Sequence, residues 1–250
     1  MSGFIRQESG GPGVLVFTLD NPPMNPLGES MRARLIELLD EAAATPDIRA
    51  LVITGQGSAF CSGDDLKAAA PAAGGKAGFG KLLEKLERTR QPIIAAINGW
   101  CIGGGFELAL CCDIRVASQQ ARFVSAGVNM GLMTSAYRLP RLIGESRAKA
   151  MALTGLPVDA ATAERYGLVT GLHADADLMQ AALALAQRIA SRAPLSVEAT
   201  KALASRACDL SRDEAADIQR SEVERLRASD DHREAVAAFR EKRDPVFRRT

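Results

Sequence analysis

Two glycine-containing turns and one carboxylate form the part of the sequence best suited to chemistry. Residues 59–65 (AFCSGDD) follow an apolar run at 50–54, and residues 98–105 (NGWCIGGG) follow another at 92–97, with Glu107 close behind. Backbone N–H groups at a turn or a helix N-terminus lack backbone partners and favour negative charge. Two such turns could aim two N–H groups at one carbonyl oxygen, as in an oxyanion hole. Glu107 could then move a proton at the carbon next to that carbonyl.

Each of these features has an ordinary structural alternative. Three consecutive glycines more often form a flexible turn than an anion site, and most glutamates in helices are solvated. The apolar neighbours of Glu107 favour a buried and therefore functional carboxylate. Asp65 can simply cap a helix after the first turn. Gly55-x-Gly57 matches a dinucleotide-binding loop only in part, because Phe60 stands where the third glycine belongs.

Composition excludes several classes of protein. The chain has 250 residues, 47% of them hydrophobic, and 31 Lys and Arg against 30 Asp and Glu leave a net charge of +1. These values suit one large domain with or without a helical extension, and they argue against disorder and against a nucleic-acid partner.

Residues 93–112 have the length of a membrane span, but Glu107 and the glycines within them favour a water-filled site and no membrane partner. No basic and then apolar leader is found, so we expect a cytoplasmic protein.

Metal-ligating residues are few. The chain has two histidines and five cysteines, none of which forms a CxxC pair: Cys61, Cys101, Cys111, Cys112 and Cys208. We therefore expect no metal and no disulfide framework, and interpret the cysteines as reduced thiols of the core.

The elements that must position the turns alternate between strand and helix, which predicts an α/β fold. We predict strands at 14–19, 50–54, 92–97 and 114–117, and helices at 30–44, 81–89, 105–112, 145–153, 160–166 and 175–191. A helix is also expected to start near Asp65, and residues 68–80 read as a flexible loop or lid. All 22 glycines lie at or before Gly171. We therefore divide the chain into a core, 1–192, and a C-terminal helical region, 193–250, which Pro194 opens.

At this point the chain resembles the crotonase superfamily, the enoyl-CoA hydratase/isomerase family. The matching segments are NPPMNPL, AFCSGDDLK, PIIAAINGWCIGGGFELALCCDIRVAS, RLPRLIG, AATAERYGLV and FREKRDPVF, in this order along nearly the whole chain. The resemblance implies a crotonase-like spiral of ββα units with a C-terminal helical oligomerisation region that builds a homo-trimer or a dimer of trimers. It also implies an acyl-CoA thioester as ligand, so that coenzyme A is part of the substrate and no separate cofactor is needed.

The same resemblance implies roles for individual residues. The two oxyanion donors map onto the N–H groups of Ser62 and Gly104, and the catalytic glutamate maps onto Glu107. Positions that approach coenzyme A, the last two often from a neighbouring subunit, map onto Met24, Asp65, Leu66, Phe239 and Lys242.

One departure from the family pattern bears on the reaction. Hydratases of this family carry a second glutamate, and that position reads Gly127 here. The glycine-rich segment that follows is shortened, which removes part of the loop that holds the catalytic water. Efficient water addition to a simple enoyl-CoA is therefore in question. Asp64, Asn129 and Tyr137 are candidates for a further polar contact in the acyl pocket.

Three functions remain open. The first is an enoyl-CoA hydratase/isomerase-type enzyme that acts through an enolate with Glu107 as the single acid/base. The second is another reaction of the same scaffold, decarboxylation or thioester hydrolysis. The third is a binding protein for acyl-CoA without turnover, against which the presence of Glu107 argues.

Overall fold

The computed structural model describes residues 3–66 and 78–250, and these residues form ten strands. The strands are β1 Phe4–Ser9, β2 Val14–Asp20, β3 Ala50–Gly55, β4 Ala59–Cys61, β5 Ile93–Ile97, β6 Trp100–Ile102, β7 Ile114–Ser118, β8 Arg122–Val124, β9 Val158–Asp159 and β10 Leu172–His173. The predicted strands are confirmed, whereas β1 and the short strands were not predicted.

Ten α-helices complete the described structure. They are α1 Glu29–Ala44, α2 Phe79–Arg88, α3 Gly104–Cys111, α4 Arg138–Ile143, α5 Glu145–Thr154, α6 Ala160–Tyr166, α7 Leu178–Ala190, α8 Pro194–Ala204, α9 Arg212–Arg227 and α10 Asp230–Glu241. Short 3-10 helices lie at Gly127–Met130 and Ala207–Asp209. The predicted helices are confirmed within a few residues, and Pro194 opens α8 as predicted. The helix expected near Asp65 is not found at Asp65 and Leu66, and the predicted lid lies mostly outside the described residues.

The strands form two sheets, which the chain visits alternately. The larger has the order β1-β2-β3-β5-β7-β10, and the smaller has the order β4-β6-β8-β9. The neighbouring strands β2, β3, β5, β7 and β10 are all parallel, and β1 is antiparallel to β2. Each of β3, β5 and β7 is followed by a short strand of the smaller sheet. This is the spiral of ββα units that the sequence predicts.

Burial of both faces of the larger sheet explains why β3 and β5 are buried at every position and almost entirely apolar. Leu51 and Ile53 belong to the main core with α1, α2 and α3, whereas Val52 packs with α7 on the other side. Parallel strands covered by helices on both faces read as continuous apolar runs rather than as alternating ones. The sheet therefore gives the turns at its strand ends a rigid support.

The parallel pair β4 and β6 brings the two glycine turns side by side. Cys61 is in register with Cys101, and the chains approach too closely for side chains at two glycines. A Cβ atom on Gly99 would lie 2.0 Å from the Ser58 carbonyl oxygen, and one on Gly105 would lie 2.1 Å from the Cys61 carbonyl oxygen. Glycine is required at both positions because the obstructing atoms are backbone.

Partly buried ion pairs attach the C-terminal helices to the core. Lys201 on α8 donates to Asp113 at 2.7 Å, and its side chain is only 8% exposed. Glu198 accepts hydrogen bonds from Arg90 of the core and from Arg249 of the terminal segment. The burial of Glu198 opposes ionisation, but these two arginines lower the pKa of its carboxyl group overall. The division at residue 192 stays a prediction.

Replacement of Gly105 tests the close approach of the two turns. We expect Gly105→Ala to lower the free energy of unfolding by about 1–3 kcal/mol, because the new methyl group must displace the Cys61 carbonyl. Gly80→Ala is the control, since a Cβ atom there meets nothing within 4 Å. In the helical site of Gly80, alanine should raise stability by about 0.4–1 kcal/mol. Urea denaturation measures both, and equal stabilities of the two variants would contradict the packing.

Candidate active site

Glu107 lies in the first two turns of α3, immediately after the glycine turn. Its N–H donates to the Gly103 carbonyl at 2.9 Å, and the residue is only 7% exposed. The preceding N–H groups of the helix, beginning with Gly104, have no partner within the helix because no residue lies four positions before them in it. The predicted burial of Glu107 is thereby confirmed, and its carboxylate belongs to the first turn of α3.

Two side chains of a single segment hold the Glu107 carboxylate. The Ser135 hydroxyl donates to Oε1 at 2.6 Å, and the Arg138 guanidinium donates to Oε2 at 3.1 Å. Ser135 is 4% exposed and adopts a φ of +62°, which is unusual for a residue other than glycine. The carboxylate therefore has both oxygens oriented, one by a hydroxyl group and one by a cation.

Arg138 is itself held by further contacts. It donates to Glu87 at 2.6 Å, and its guanidinium lies 4.4 Å from the centre of the Tyr137 ring. Burial opposes the charged form, but the hydrogen bond to Glu87 and nearby negative groups raise the pKa of Arg138 above its usual range. The guanidinium therefore stays positive beside Glu107.

The Ser62 N–H is already used within the protein. It donates to the Met24 carbonyl at 2.9 Å, which is at odds with the prediction that it receives the substrate. The next candidate is Asp64, which forms an isolated parallel bridge with Leu27. In such a bridge the residues flanking Asp64 bond to Leu27, and the Leu27 N–H does donate to the Gly63 carbonyl at 2.7 Å. The Asp64 N–H therefore points away from Leu27.

Gly63, the residue before Asp64, lies against Gly104. A Cβ atom on Gly63, which has a φ of +94°, would lie 2.6 Å from the Gly104 nitrogen. The Asp64 carboxylate is tied back by an ion pair with the buried Arg32, which also donates to the Leu27 carbonyl at 2.7 Å. The backbone around Asp64 is thus fixed against the N-terminus of α3.

Position 127, where a second acid was sought, has no room for one. A Cβ atom on Gly127 would lie 2.6 Å from Thr134 Oγ1, 2.8 Å from the Leu132 carbonyl oxygen and 2.8 Å from the Thr134 nitrogen. Two of these atoms are backbone, so no simple rotation opens the space. The segment that brings Ser135 and Arg138 to Glu107 therefore also excludes a side chain at Gly127.

The other predicted site residues lie further out. Asn129 donates to the Gly155 carbonyl at 3.1 Å, and Tyr137 is 54% exposed under Arg138. Of the expected coenzyme A contacts, Leu66 and Phe239 are exposed apolar side chains, and Lys242 ends α10 with a φ of +55°. Met24 and Asp65 lie beside the first turn and are partly buried.

A cavity of about 890 Å³ opens beyond the C-terminal end of α3. Cys111, one helical turn after Glu107, lies in its wall together with Tyr137, Arg138 and residues of α8. Arg138 lines the cavity and also donates to Glu107, so it separates the cavity from the carboxylate.

Four of the five cysteines are buried, and Cys208 is exposed. The prediction of a core position is thus wrong for Cys208, which follows α8 where few residues are buried. Burial raises the pKa of both Cys61 and Cys112 to about 12, so both are neutral thiols at neutral pH. Within residues 3–66 and 78–250, no group of three or more His, Cys, Asp or Glu could hold a metal ion.

Comparison with known families supports the fold described above. Residues 9–250 match the model of the enoyl-CoA hydratase/isomerase family. The chain belongs to this family. The resemblance read from the glycine turns is thereby confirmed, and an acyl-CoA hydratase/isomerase type of function is supported.

Individual relatives cover nearly the whole chain. An (E)-benzylidenesuccinyl-CoA hydratase of Thauera aromatica is 37% identical over 244 residues, 94% of this chain and 95% of the relative. A carnitinyl-CoA dehydratase of Proteus mirabilis is 35% identical over 94% of this chain and 95% of its own. The crystal structure of an enoyl-CoA hydratase from Bacillus anthracis superposes with a TM-score of 0.94 at 30% identity, covering 98% of this chain and 99% of that one.

No helix of the described part of the chain is both long enough and apolar enough to cross a membrane. The apolar stretch at 93–112 is divided among β5, β6 and α3 instead.

The Ser135 hydroxyl should matter for turnover, because it orients the Glu107 carboxylate. Loss of one hydrogen bond to a charged group is worth about 1.5–3 kcal/mol. We therefore expect Ser135→Gly and Ser135→Ala each to lower kcat on an enoyl-CoA substrate by roughly 10- to 100-fold.

The two variants separate the loss of the hydrogen bond to Glu107 from backbone strain, because both lack the hydroxyl and they differ in how well they tolerate a positive φ. Glycine adopts a positive φ freely, so Ser135→Gly should be more stable than Ser135→Ala by about 1 kcal/mol in urea denaturation. Parent-like kcat in both variants would show that the bond to Glu107 has no catalytic role.

Proposed function

We propose that this protein is an enoyl-CoA hydratase-type lyase that adds water reversibly to a 2-enoyl-CoA thioester. One observation carries the proposal: the buried carboxylate of Glu107 lies three residues after Gly104, the first residue of α3, and is held by Ser135 and Arg138. The relatives named above are a hydratase and a dehydratase of CoA thioesters, and they support addition or removal of water as the type of reaction.

The thioester carbonyl oxygen binds between two backbone donors in this proposal. Gly104, at the start of α3, supplies one N–H, and Asp64 supplies the other in place of Ser62. The dipole of α3 adds positive potential at the same point. Negative charge that develops on the oxygen as an enolate is thereby stabilised, and loss of one such donor typically costs about 3–4 kcal/mol of barrier.

Glu107 moves the proton. As the water oxygen bonds to C3, the carboxylate takes a proton from that water, and the C2–C3 electron pair moves toward the thioester oxygen. The enolate then collapses, and the protonated Glu107 gives its proton to C2. One carboxylate therefore serves both steps, and the reverse sequence removes water from a 3-hydroxyacyl-CoA.

Substrate and assembly contacts extend the proposal. Coenzyme A lies along the first turn, where the exposed Leu66 offers an apolar surface. The 84% exposed Phe239 on α10 is suited to a contact with a neighbouring copy in a trimer or a dimer of trimers.

A second candidate is isomerisation of a 3-enoyl-CoA to a 2-enoyl-CoA. The observation that favours it is the absence of space for an acid at position 127. One carboxylate suffices for isomerisation, because Glu107 can remove a proton from C2 and return it to C4. The two reactions differ in whether water is added.

Glu107→Gln tests the shared chemistry. It keeps the shape of the side chain and removes the base, so we expect hydration of crotonyl-CoA and of a medium-chain 2-enoyl-CoA to fall by about 10²- to 10⁴-fold. Loss of the conjugated thioester absorbance measures the rate. Glu84→Gln, the same change at an exposed residue of α2, is the control and should leave the rate unchanged.

The same assay separates the two candidates. Hydration removes the conjugated absorbance of a 2-enoyl-CoA, whereas isomerisation of a 3-enoyl-CoA creates it. Hydration that persists in Glu107→Gln would contradict the role of Glu107. Isomerisation without any hydration would replace the first candidate by the second.

A further inference from the structure

Arg32 is a buried cation of α1 that contacts the first glycine turn. The residue is only 3% exposed, and its guanidinium forms an ion pair with Asp64 and donates to the Leu27 carbonyl at 2.7 Å. Burial of a charge costs free energy, and a buried ion pair is often no more stabilising than apolar side chains of similar volume. Stability alone therefore does not account for an arginine at this position.

Asp64 brings a negative charge to the residue whose N–H is proposed to bind the thioester oxygen. Covalent geometry keeps the carboxylate oxygens within about 5 Å of the backbone nitrogen of the same residue. The thioester oxygen gains negative charge as the enolate forms, and like charges repel more strongly where water is excluded. A carboxylate without a cation at this residue would therefore oppose the charge that the backbone donors stabilise.

The Arg32 guanidinium is linked to the second turn by two routes. The first runs through the turn itself, because the Leu27 N–H donates to the Gly63 carbonyl at 2.7 Å and Gly63 lies against the Gly104 nitrogen. The second runs through Phe79, whose ring centre lies 5.9 Å from the guanidinium carbon of Arg32. A Cβ atom on Gly104 would lie 2.7 Å from Cζ of that ring. The cation is thus packed against the surroundings of both proposed donors.

We propose that Arg32 is a positioning residue that neutralises the Asp64 carboxylate and so keeps the backbone site of Asp64 and Gly104 suited to an enolate oxygen. This inference rests on the proposed function. In this role Arg32 transfers no proton and acts through Asp64. Its effect is greatest in the transition state, because the thioester oxygen carries little charge in the ground state.

The experiment removes the two charges separately and together. Arg32→Gln removes the cation and keeps a hydrogen-bond donor, Asp64→Asn removes the anion and keeps its shape, and the double variant removes both. Arg34→Gln is the control, because Arg34 lies on the same helix in a solvent-exposed ion pair with Glu37. Each variant is assayed for exchange of the C2 protons of butyryl-CoA with deuterium oxide and for its dissociation constant for butyryl-CoA.

We expect Arg32→Gln to lower the exchange rate by about 10- to 100-fold, with an affinity for butyryl-CoA within about twofold of the parent. In the Asp64→Asn background the same substitution should cost at most about threefold, because no carboxylate is left to neutralise. Arg34→Gln should exchange at the parental rate. An equal loss of exchange in both backgrounds would indicate a merely structural role for Arg32 and overturn the inference.

A second substitution keeps the test decisive where Arg32→Gln does not fold. Arg32→Lys retains the positive charge but replaces the planar guanidinium by a single ammonium group, so we expect exchange within about fivefold of the parent. A larger loss in folded Arg32→Lys at unchanged affinity for butyryl-CoA would show that charge is not what Arg32 supplies.

Failure of the inference is distinguishable from failure of the proposed function. If the parent exchanges C2 protons and hydrates crotonyl-CoA while Arg32→Gln does both equally well, the role of Arg32 is refuted and the proposed function stands. If the parent binds butyryl-CoA but neither exchanges its C2 protons nor hydrates crotonyl-CoA, the proposed function fails, and the role of Arg32 fails with it.

Discussion

The parallel pairing of β4 with β6 is the constraint on which the site depends. It forces two chain segments together so closely that Gly99 and Gly105 cannot carry a side chain. The same closeness sets Gly63 against the nitrogen of Gly104 at the start of α3. The larger sheet, buried on both faces, supplies the rigid support that keeps these turns in place. The oxyanion site that we propose needs such support, because backbone donors have no side chains that could adjust.

The segment before α4 departs most from the expected site, and its parts depend on one another. Thr134 fills the space next to Gly127, so a second acid is excluded there. The following residues, Ser135 and Arg138, both reach Glu107. The chain thus has one carboxylate that is oriented by a hydroxyl and by a guanidinium, which is in turn paired with Glu87. We interpret the loss of one acid and the gain of these contacts as a single rearrangement of the loop.

Sequence reasoning identified the fold and the burial of Glu107, and it failed where contacts are remote. The glycine turns and the apolar runs before them were sufficient to predict the sheet, α3 and the burial of Glu107, because these are local patterns. Ser135 contacts Glu107 across 28 positions, and nothing in its own neighbourhood signals this. The choice of Ser62 failed because the bridge between Leu27 and Asp64, which decides where each N–H points, cannot be read from a motif.

The central claim is that one carboxylate, Glu107, transfers protons at the carbon next to a thioester held by backbone N–H groups. Exchange of the C2 protons of a saturated acyl-CoA in deuterium oxide, followed by NMR, tests it most directly, since no water is added and no acyl substituent is required. We predict measurable exchange with the parent protein and loss of that exchange in Glu107→Gln at unchanged acyl-CoA affinity. Undiminished exchange in Glu107→Gln would contradict the account.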